Sequence, residues 1–351
     1  EDNSYEKNLL LKLQKTSNDK YFKMHDINTA LVNSENTNLE NQIIYQYSKD
    51  DKYLNLSATM YENMEQNTND RYEYILPNMT FGKTFFGEKF GSLDFKTNAF
   101  YKNYDADKHL TFLNNDIIWT PNSYISPNGF VNTIEGMLNN RNYEARNTED
   151  YKTTGTTTEL SSVLSFKSSL PMKKEGINFS KIVSPNFMLR YAPFHMRDLS
   201  NEDTTLSYAN LFSTNKTSEI EDGLSAILGF DFKINEKIKD GSEKQKFSIS
   251  MGQVFNPVEN QDIPSKSSLD QKMSDVVGEI NYNFSEIGSI DYKFSVDHNL
   301  NELNYNQVST NLNFGKVSFN VDYLEEQNHI GNENYMKLGI SINFNDSNKL
   351  S

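Results

Sequence analysis

Apolar and polar residues alternate one by one through most of this chain, and this alternation constrains the fold more than any other feature. For example, Leu228, Phe230 and Phe232 are separated by the small or polar residues Gly229 and Asp231. Successive side chains of an extended strand point to opposite faces, so the two sets lie on opposite sides of a sheet. No helical period competes with this pattern. The sequence therefore predicts an all-β chain whose strands have one apolar face and one polar face.

The alternation divides the chain into about seventeen strand segments of roughly ten residues, the length that a tilted membrane strand requires. The predicted segments are 7–16, 22–32, 39–48, 53–62, 73–85, 91–103, 109–119, 128–139, 157–170, 181–192, 224–235, 245–256, 275–284, 289–298, 305–314, 316–325 and 335–345. The links between segments alternate as well, with short turns such as Lys49–Lys52 interleaved with long polar loops such as His195–Asp222 and Pro257–Ser274. Short turns on one rim and long loops on the other are typical of outer-membrane barrels. We therefore predict a large antiparallel transmembrane β-barrel that forms one domain over residues 1–351.

The strand count carries a further expectation. Bacterial single-chain barrels have an even number of strands, because both termini normally lie on the periplasmic side. The count here is odd, and no closing strand follows Phe344. We expect this sequence to be an incomplete part of a larger barrel, truncated at both ends.

Composition agrees with a barrel and excludes several classes of function. Hydrophobic residues make up 36% of the 351 residues, which would leave a soluble protein of this length with a thin core, whereas the 13% aromatic content argues against disorder. In a membrane barrel only alternate residues face lipid, so both values are expected. The absence of cysteine excludes thiol nucleophiles and cysteine-based zinc sites. The net charge of -14 opposes binding to nucleic acid.

The sequence carries no recognisable catalytic motif. The five histidines fall at strand ends or in loops, without a Gly-x-Ser-x-Gly or His-Glu-x-x-His sequence. They are His25, His109, His195, His298 and His329. Acidic pairs such as Glu221-Asp222 solvate turns more often than they bind divalent cations, and no calcium-loop spacing accompanies them. We predict that the protein is not an enzyme and that it needs no metal or cofactor.

One stretch carries specific motifs in addition to the alternation. Its characteristic residues are Pro185, Arg190, Tyr191, Pro193 and Phe194, then Asn210, Leu211 and Phe212 with Asn215, and then Gly252, Gln253, Val254 and Phe255. Their order resembles the C-terminal barrel of the LptD family, the outer-membrane lipopolysaccharide-assembly proteins also called OstA or Imp. Looser matches occur at Tyr74–Met79 and Ile125–Phe130. The resemblance covers residues 5–345, although its specific part is only about seventy residues long.

The chain also departs from the family pattern in three places. The family usually continues the Leu-Phe motif with an Arg-Phe-Ser-Gly-x-Asp-Arg run, whereas Lys216–Asp222 is shorter and has neither arginine. The paired cysteines of some members are absent, so their cross-linking step cannot apply. The first proline is Pro77, so proline-weakened strands near the start of the barrel are missing or lie upstream.

The resemblance implies lipopolysaccharide transport and assembly at the outer leaflet of the Gram-negative outer membrane. Lipopolysaccharide would arrive from a periplasmic LptA-like bridge protein, its sugars would cross the lumen with the help of an LptE-like plug lipoprotein, and its acyl chains would leave through a lateral gate into outer-membrane lipid. The motif residues Pro185, Arg190, Tyr191, Pro193, Asn210, Leu211, Phe212, Gly252 and Gln253 are candidates for structural roles or for contacts along this path. Arg190, with Tyr191, would either contact the substrate or serve as a structural charge inside the barrel, and polar barrel interiors favour the structural role.

Two other functional classes fit the alternation. A porin or nutrient-uptake barrel would need a constriction loop with clustered charges, and a ligand-gated one would also need a plug domain. A soluble β-sandwich adhesin would show the same local period in its strands.

Overall fold

The computed structural model describes residues 5–28, 37–66, 70–104, 107–148, 151–238, 241–284, 287–327, 332–345 and 348–350. Within them the regular secondary structure is almost entirely β-strand. The strands are β1 (Glu6–Lys12), β2 (Asn38–Lys49), β3 (Lys52–Asn63), β4 (Tyr72–Gly87), β5 (Gly91–Tyr104), β6 (Lys108–Thr120), β7 (Tyr124–Ile125), β8 (Val131–Arg146), β9 (Thr157–Ser169), β10 (Met172–Glu175), β11 (Phe179–Ala192), β12 (Gly223–Lys237), β13 (Glu243–Phe255), β14 (Val276–Asn283), β15 (Gly288–Val296), β16 (Leu303–Phe314), β17 (Val317–Glu326), β18 (Glu333–Asn345) and β19 (Asn348–Leu350). Two single-turn helices, α1 (Tyr21–Met24) and α2 (Tyr208–Leu211), and a 3-10 turn at Ser265–Ser267 complete the described elements.

The chain divides into two compact units. Unit 1 comprises Glu1–Thr120 and Met137–Ser161, and unit 2 comprises Pro121–Gly136 and Ser162–Ser351. In unit 1, strands β1 to β6 pair in chain order, from β1 with β2 to β5 with β6. In unit 2, β9 and β10 both pair with β11, and strands β11 to β19 then pair in chain order. All of these pairs are antiparallel, which confirms the all-β antiparallel fold predicted from the alternation.

The register of unit 2 aligns polar residues with polar residues across the strands. One row joins Ser184, Asp231, Ser250, Glu279, Lys293 and Gln307, and a second joins Lys233, Ser248, Asn281, Asp291, Ser309, Asp322 and Lys337. Directly paired residues lie on the same face of a sheet, so these rows define what we call the polar face of unit 2.

The opposite face of the same strands is apolar. Between the two polar rows runs a third that joins Val183, Phe232, Ile249, Ile280, Tyr292, Val308, Tyr323 and Met336. Further along this face, Leu189 and Leu228 are 43% and 50% exposed, whereas Ser248 and Ser250 on the polar face are each 3% exposed. This is the inverse of a soluble sheet, in which the apolar side is covered. The predicted separation of apolar and polar residues is therefore confirmed in unit 2.

The prediction of a strand at 22–32 was wrong for its described part. Residues 21–24 form α1, and residues 29–32 lie outside the described residues. The cause is local, because the side chain of Asn18 accepts a hydrogen bond from the backbone N–H of Lys20 at 2.9 Å, and the ring of Tyr21 lies 4.7 Å from that of His25. Such side-chain to backbone bonds favour turns over strands.

The structure also changes other predicted boundaries. Strand β8 continues to Arg146, into residues predicted as the start of a long loop. The short strands β7, β10 and β19 were not predicted. Strand β10 has the sequence Met-Lys-Lys-Glu, in which charges hide the alternation, and it is recognisable only from its pairing with Ser180–Val183.

Each unit contains an apolar cluster. In unit 1, Leu110, Tyr143 and Ala145 are buried beside Phe100, Phe112 and Tyr151. The larger cluster lies in unit 2, where two long loops cover one end of the polar face. No helix among the described residues is long and apolar enough to cross a membrane.

Candidate functional site

Two long loops of unit 2 fold onto its sheet. We call residues 193–222, between β11 and β12, loop A, and residues 256–275, between β13 and β14, loop B. The strands contribute Met188, Ile227, Val254 and Val277 to their shared core, loop A contributes Met196, Leu199, Leu206 and Leu211, and loop B contributes Ile263 and Leu269. The strand residues of this face that lie beneath the loops are therefore apolar, because the loops exclude water from that end of the face.

Arg190 anchors loop A from the strand beneath it. Its side chain is fully buried, and its Nε donates a hydrogen bond to the carbonyl oxygen of Thr214 at 2.6 Å, while Nη2 donates to that of Glu221 at 2.5 Å. The hydroxyls of Thr214 and Ser165 lie 2.8 Å apart. A planar guanidinium can hold two acceptors in a fixed geometry. Arg190 therefore ties the returning part of loop A to β11.

A second buried cation lies in the same part of loop A. The side chain of Lys216 donates to the carbonyl oxygen of Ser213 at 3.2 Å, and its backbone N–H donates to the Glu221 carboxylate at 2.6 Å. Burial lowers the pKa of Lys216 to about 8, an effect that the Glu221 charge opposes and the nearby Arg190 charge strengthens. The protonation of Lys216 is therefore coupled to the docking of loop A.

Helix α2 presents Leu211 and Phe212 to two glycines. Gly229 and Gly252 are paired across β12 and β13. A Cβ atom on Gly252 would lie 2.5 Å from Leu211 Cδ2, and one on Gly229 would lie 3.1 Å from Phe212 Cζ. Glycine in a strand often marks such a close approach. The glycine pair therefore forms the seat on which α2 docks.

The fold of α2 is fixed by Asn210. Its Oδ1 accepts from the backbone N–H of Ser207 at 2.8 Å, and its Nδ2 donates to the carbonyl oxygen of Thr205 at 3.0 Å. With the Ser207 side chain, this forms a capping box in which Asn210 takes the usual place of Glu or Gln. Asn210 therefore determines the direction in which Leu211 points.

Asp231 connects the polar face to α2. Its carboxylate accepts hydrogen bonds from Tyr208 Oη at 2.8 Å, Ser250 Oγ at 2.7 Å and Asn186 Nδ2 at 2.7 Å. Burial and the bond to Asp231 raise the pKa of Tyr208. Three strands and one loop thus meet at a single carboxylate.

The structure separates the motif residues into two groups. Arg190, Asn210, Leu211, Phe212 and Gly252 gather where loop A docks. Gln253 lies nearby and donates from Nε2 to the carbonyl oxygen of Ser274 in loop B at 2.6 Å. By contrast, Pro185, Tyr191 and Pro193 are exposed, with Pro185 and Tyr191 on the apolar face of β11.

Sequence reasoning missed several residues of this site. Thr214 and Asp231 were read as parts of a polar loop and a polar strand face, and nothing in their spacing marks their hydrogen bonds. The prediction that Glu221 solvates a turn was wrong, because it is buried and its carboxylate accepts from the backbone N–H of Lys216. Gly229 had a detectable signal, because it lies opposite Gly252 when the predicted neighbouring segments 224–235 and 245–256 are paired as antiparallel strands. Among the described residues, no three His, Asp or Glu side chains form a group that could hold a metal ion, and His329 lies outside them.

Antiparallel strands with an exposed apolar face, a polar opposite face and long loops between strands are typical of the class of outer-membrane β-barrels. The sequence profile of the LptD family, described as LPS transport system D, matches residues 3–347. The chain belongs to this family, whose members transport and assemble lipopolysaccharide at the outer membrane. The family is a transport and assembly family and not an enzyme family. Comparison with curated proteins gives no match.

Proposed function

We propose that the protein moves lipopolysaccharide to the outer leaflet by passing its sugar portion along the polar face while its acyl chains leave sideways between strands. The observation that carries this proposal is the row pattern of unit 2. Rows of polar side chains cross the strands on one face, and a row of apolar side chains crosses them on the other. Hydroxyl and phosphate groups can exchange their water for the side chains of the polar rows at low cost. Hydrocarbon chains would desolvate the same side chains without replacing their hydrogen bonds.

The charges of the polar face support a path for an amphiphile. The second polar row contains Lys233, Asp291, Asp322 and Lys337, so both signs of charge occur along it. Phosphates can contact the lysines, and sugar hydroxyls can contact the carboxylates. Acyl chains need a different exit, and a weakly paired seam between strands opens at lower cost than a continuous ladder.

The motif residues divide between two roles in this proposal. Arg190 and Gly252 are positioning residues, which hold loop A against the sheet. Pro185 and Tyr191 face outer-membrane lipid from the apolar face. An LptE-like plug lipoprotein and a periplasmic LptA-like bridge protein are the partners that deliver and guide the substrate.

Labelling in cells tests the proposed path. A photoactivatable residue replaces Asp291 on the polar face or its neighbour Tyr292 on the apolar face, and newly made lipopolysaccharide is pulse-labelled. We expect cross-links at Asp291 to rise during the pulse and fall during the chase, because the substrate passes this position. Cross-links at Tyr292 should rise to a constant level, because that side chain contacts lipid of the finished membrane.

Depletion of the protein provides the second measurement. We expect depletion to remove lipopolysaccharide from the cell surface. Unchanged surface lipopolysaccharide after depletion would favour a porin or nutrient-uptake barrel. Identical time courses at Asp291 and Tyr292 would contradict passage along the polar face.

A further inference from the structure

A cavity of about 220 Å³ lies between helix α2 and the polar face of unit 2. The residues that matter for its chemistry are Tyr208 from α2, Glu279 from β14, Lys293 from β15 and Tyr305 from β16. Sites for drug-sized ligands usually have volumes of roughly 300–1,000 Å³. This cavity is smaller, so it has room for a single ring and not for a chain of several.

The charged groups of the cavity are available to a ligand. Glu279 and Lys293 are register partners, yet within the described residues neither side chain makes a hydrogen bond or an ion pair. Asp231, in the same polar row, differs in that it accepts hydrogen bonds from three side chains. The cavity thus offers one carboxylate acceptor and one ammonium donor at neighbouring positions.

The aromatic groups of the cavity are already held in place. The Tyr208 hydroxyl donates to Asp231 at 2.8 Å, and its ring packs edge-on against Phe212 with centroids 6.1 Å apart. The Tyr305 hydroxyl donates to Gln307 Oε1 at 2.8 Å. Because both hydroxyls are engaged by the protein, the rings offer mainly apolar surface to a ligand. Little conformational freedom remains to be lost on binding.

These features select one class of ligand. A hydrocarbon would remove water from Glu279 and Lys293 and give no hydrogen bond in return. A phosphate would place its negative charge beside the carboxylate of Glu279. A neutral sugar ring meets both demands, because its hydroxyls both donate and accept and its C–H groups pack on aromatic rings.

We propose that this cavity is a binding site for one neutral sugar ring. Within the transport path it is a subsite for the sugar portion of lipopolysaccharide, and this assignment rests on the proposed function. Helix α2 forms one wall of the subsite, so docking of loop A assembles it.

Saturation-transfer NMR with methyl α-D-glucopyranoside tests the proposal on the full chain, in a detergent without a sugar headgroup. We expect transfer from the wild-type protein to the glycoside and its loss in Lys293→Met and Glu279→Gln. Lys233→Met is the matched control, because Lys233 lies on the polar face outside the cavity, and it should retain the signal. Heat-dependent migration on gels checks that each variant is folded. If Lys293→Met does not fold, Lys293→Gln tests the same contact.

Three outcomes overturn the proposal: no transfer from the wild-type protein, equal transfer from the cavity variants, or displacement of the glycoside by inorganic phosphate. The measurement contains no lipopolysaccharide. The subsite can therefore fail while the labelling at Asp291 supports transport, and transport can fail while the subsite binds the glycoside.

Discussion

At the scale of single residues, buried polar groups fix the backbone path of loop A above its apolar core. Arg190, Lys216 and Glu221 are all buried within loop A or directly beneath it. Their hydrogen bonds go largely to backbone atoms of the loop, so each of them specifies a backbone path. Leaving such a group without its partner costs more than forming the bond gains.

Replacement of Arg190 should release loop A. In Arg190→Met, the carbonyl oxygens of Thr214 and Glu221 lose their donor, at a cost of about 1–3 kcal/mol for each buried acceptor. We expect faster subtilisin cleavage within residues 193–222 of the folded protein. Arg146→Met is the control, because Arg146 forms an exposed ion pair with Asp107, and such pairs contribute about 0–1 kcal/mol. Equal cleavage of both variants would show that Arg190 does not anchor the loop.

The docking of loop A should strengthen as the pH rises above about 8. The pKa of Lys216 is about 8 in the docked loop and has its ordinary value of 10.5 in the open chain. Between these values the undocked loop binds the proton more strongly, so raising the pH favours docking by at most about 1.4 kcal/mol per pH unit. Below pH 8 both forms are protonated, and this dependence disappears.

Comparison with Lys216→Met isolates this effect from other titrations. The ratio of subtilisin cleavage rates in loop A, variant over wild type, should increase between pH 8 and pH 10, because only the wild type gains stability from Lys216. Lys266→Met changes an exposed lysine of loop B and should keep the wild-type dependence. A constant ratio for Lys216→Met would contradict the lowered pKa.

At the scale of elements, the sheet is adapted to receive α2. The pair Gly229 and Gly252 creates a depression where Leu211 and Phe212 lie. Asn210 sets the geometry of the turn, and Tyr208 binds the strands beneath it. The order of several of these residues in the sequence was recognised as a motif. The structure shows that the motif residues dock α2 on strands β12 and β13.

Substitution of Gly252 tests this docking directly. In Gly252→Ala the new methyl group would lie 2.5 Å from Leu211 Cδ2 and 2.5 Å from the carbonyl oxygen of Leu228. Overpacking of this kind typically costs about 1–3 kcal/mol, so we expect a lower urea midpoint and faster cleavage of loop A. Gly339→Ala is the matched control in another strand, because its Cβ would meet only ordinary contacts with Asn320 at 3.7 Å and beyond. A stable, protease-resistant Gly252→Ala variant would disprove the close approach.

At the scale of the whole molecule, the medium that each sheet face contacts decides which side chains are stable there. Hydrocarbon favours apolar side chains and water favours polar ones. Ile280 and Asn281 are neighbours in β14, but their rows lie on opposite faces. The apolar row continues across eight strands of unit 2, from β11 to β18. Exposed apolar rows of this length are stable against hydrocarbon and would aggregate in water.

A charge on the apolar face should prevent insertion into the membrane. Arginine on the lipid face near the bilayer midplane costs about 2–4 kcal/mol, so we expect Ile280→Arg to reduce the heat-modifiable, membrane-inserted fraction. Asn281→Arg adds the same charge to the polar face one residue away and should insert normally. If both variants insert equally well, the apolar row does not face lipid.

The sequence by itself determined the class of fold and the two chemically different faces. Both depend on side chains that alternate within one strand, and this period is visible in about ten consecutive residues of a strand. A prediction from this period alone was therefore wrong where a local turn competes, as at α1. It also missed β10, whose charged sequence lacks the alternation.

Only the tertiary structure decided which loop residues meet the sheet. Arg190 and Glu221 are 31 positions apart, and Tyr208 and Asp231 are 23 positions apart. Contacts over such separations depend on how the loop folds back, and no local period records that path. The cavity beside α2 exists for the same reason, because its walls come from a loop and three strands that meet only when loop A is docked.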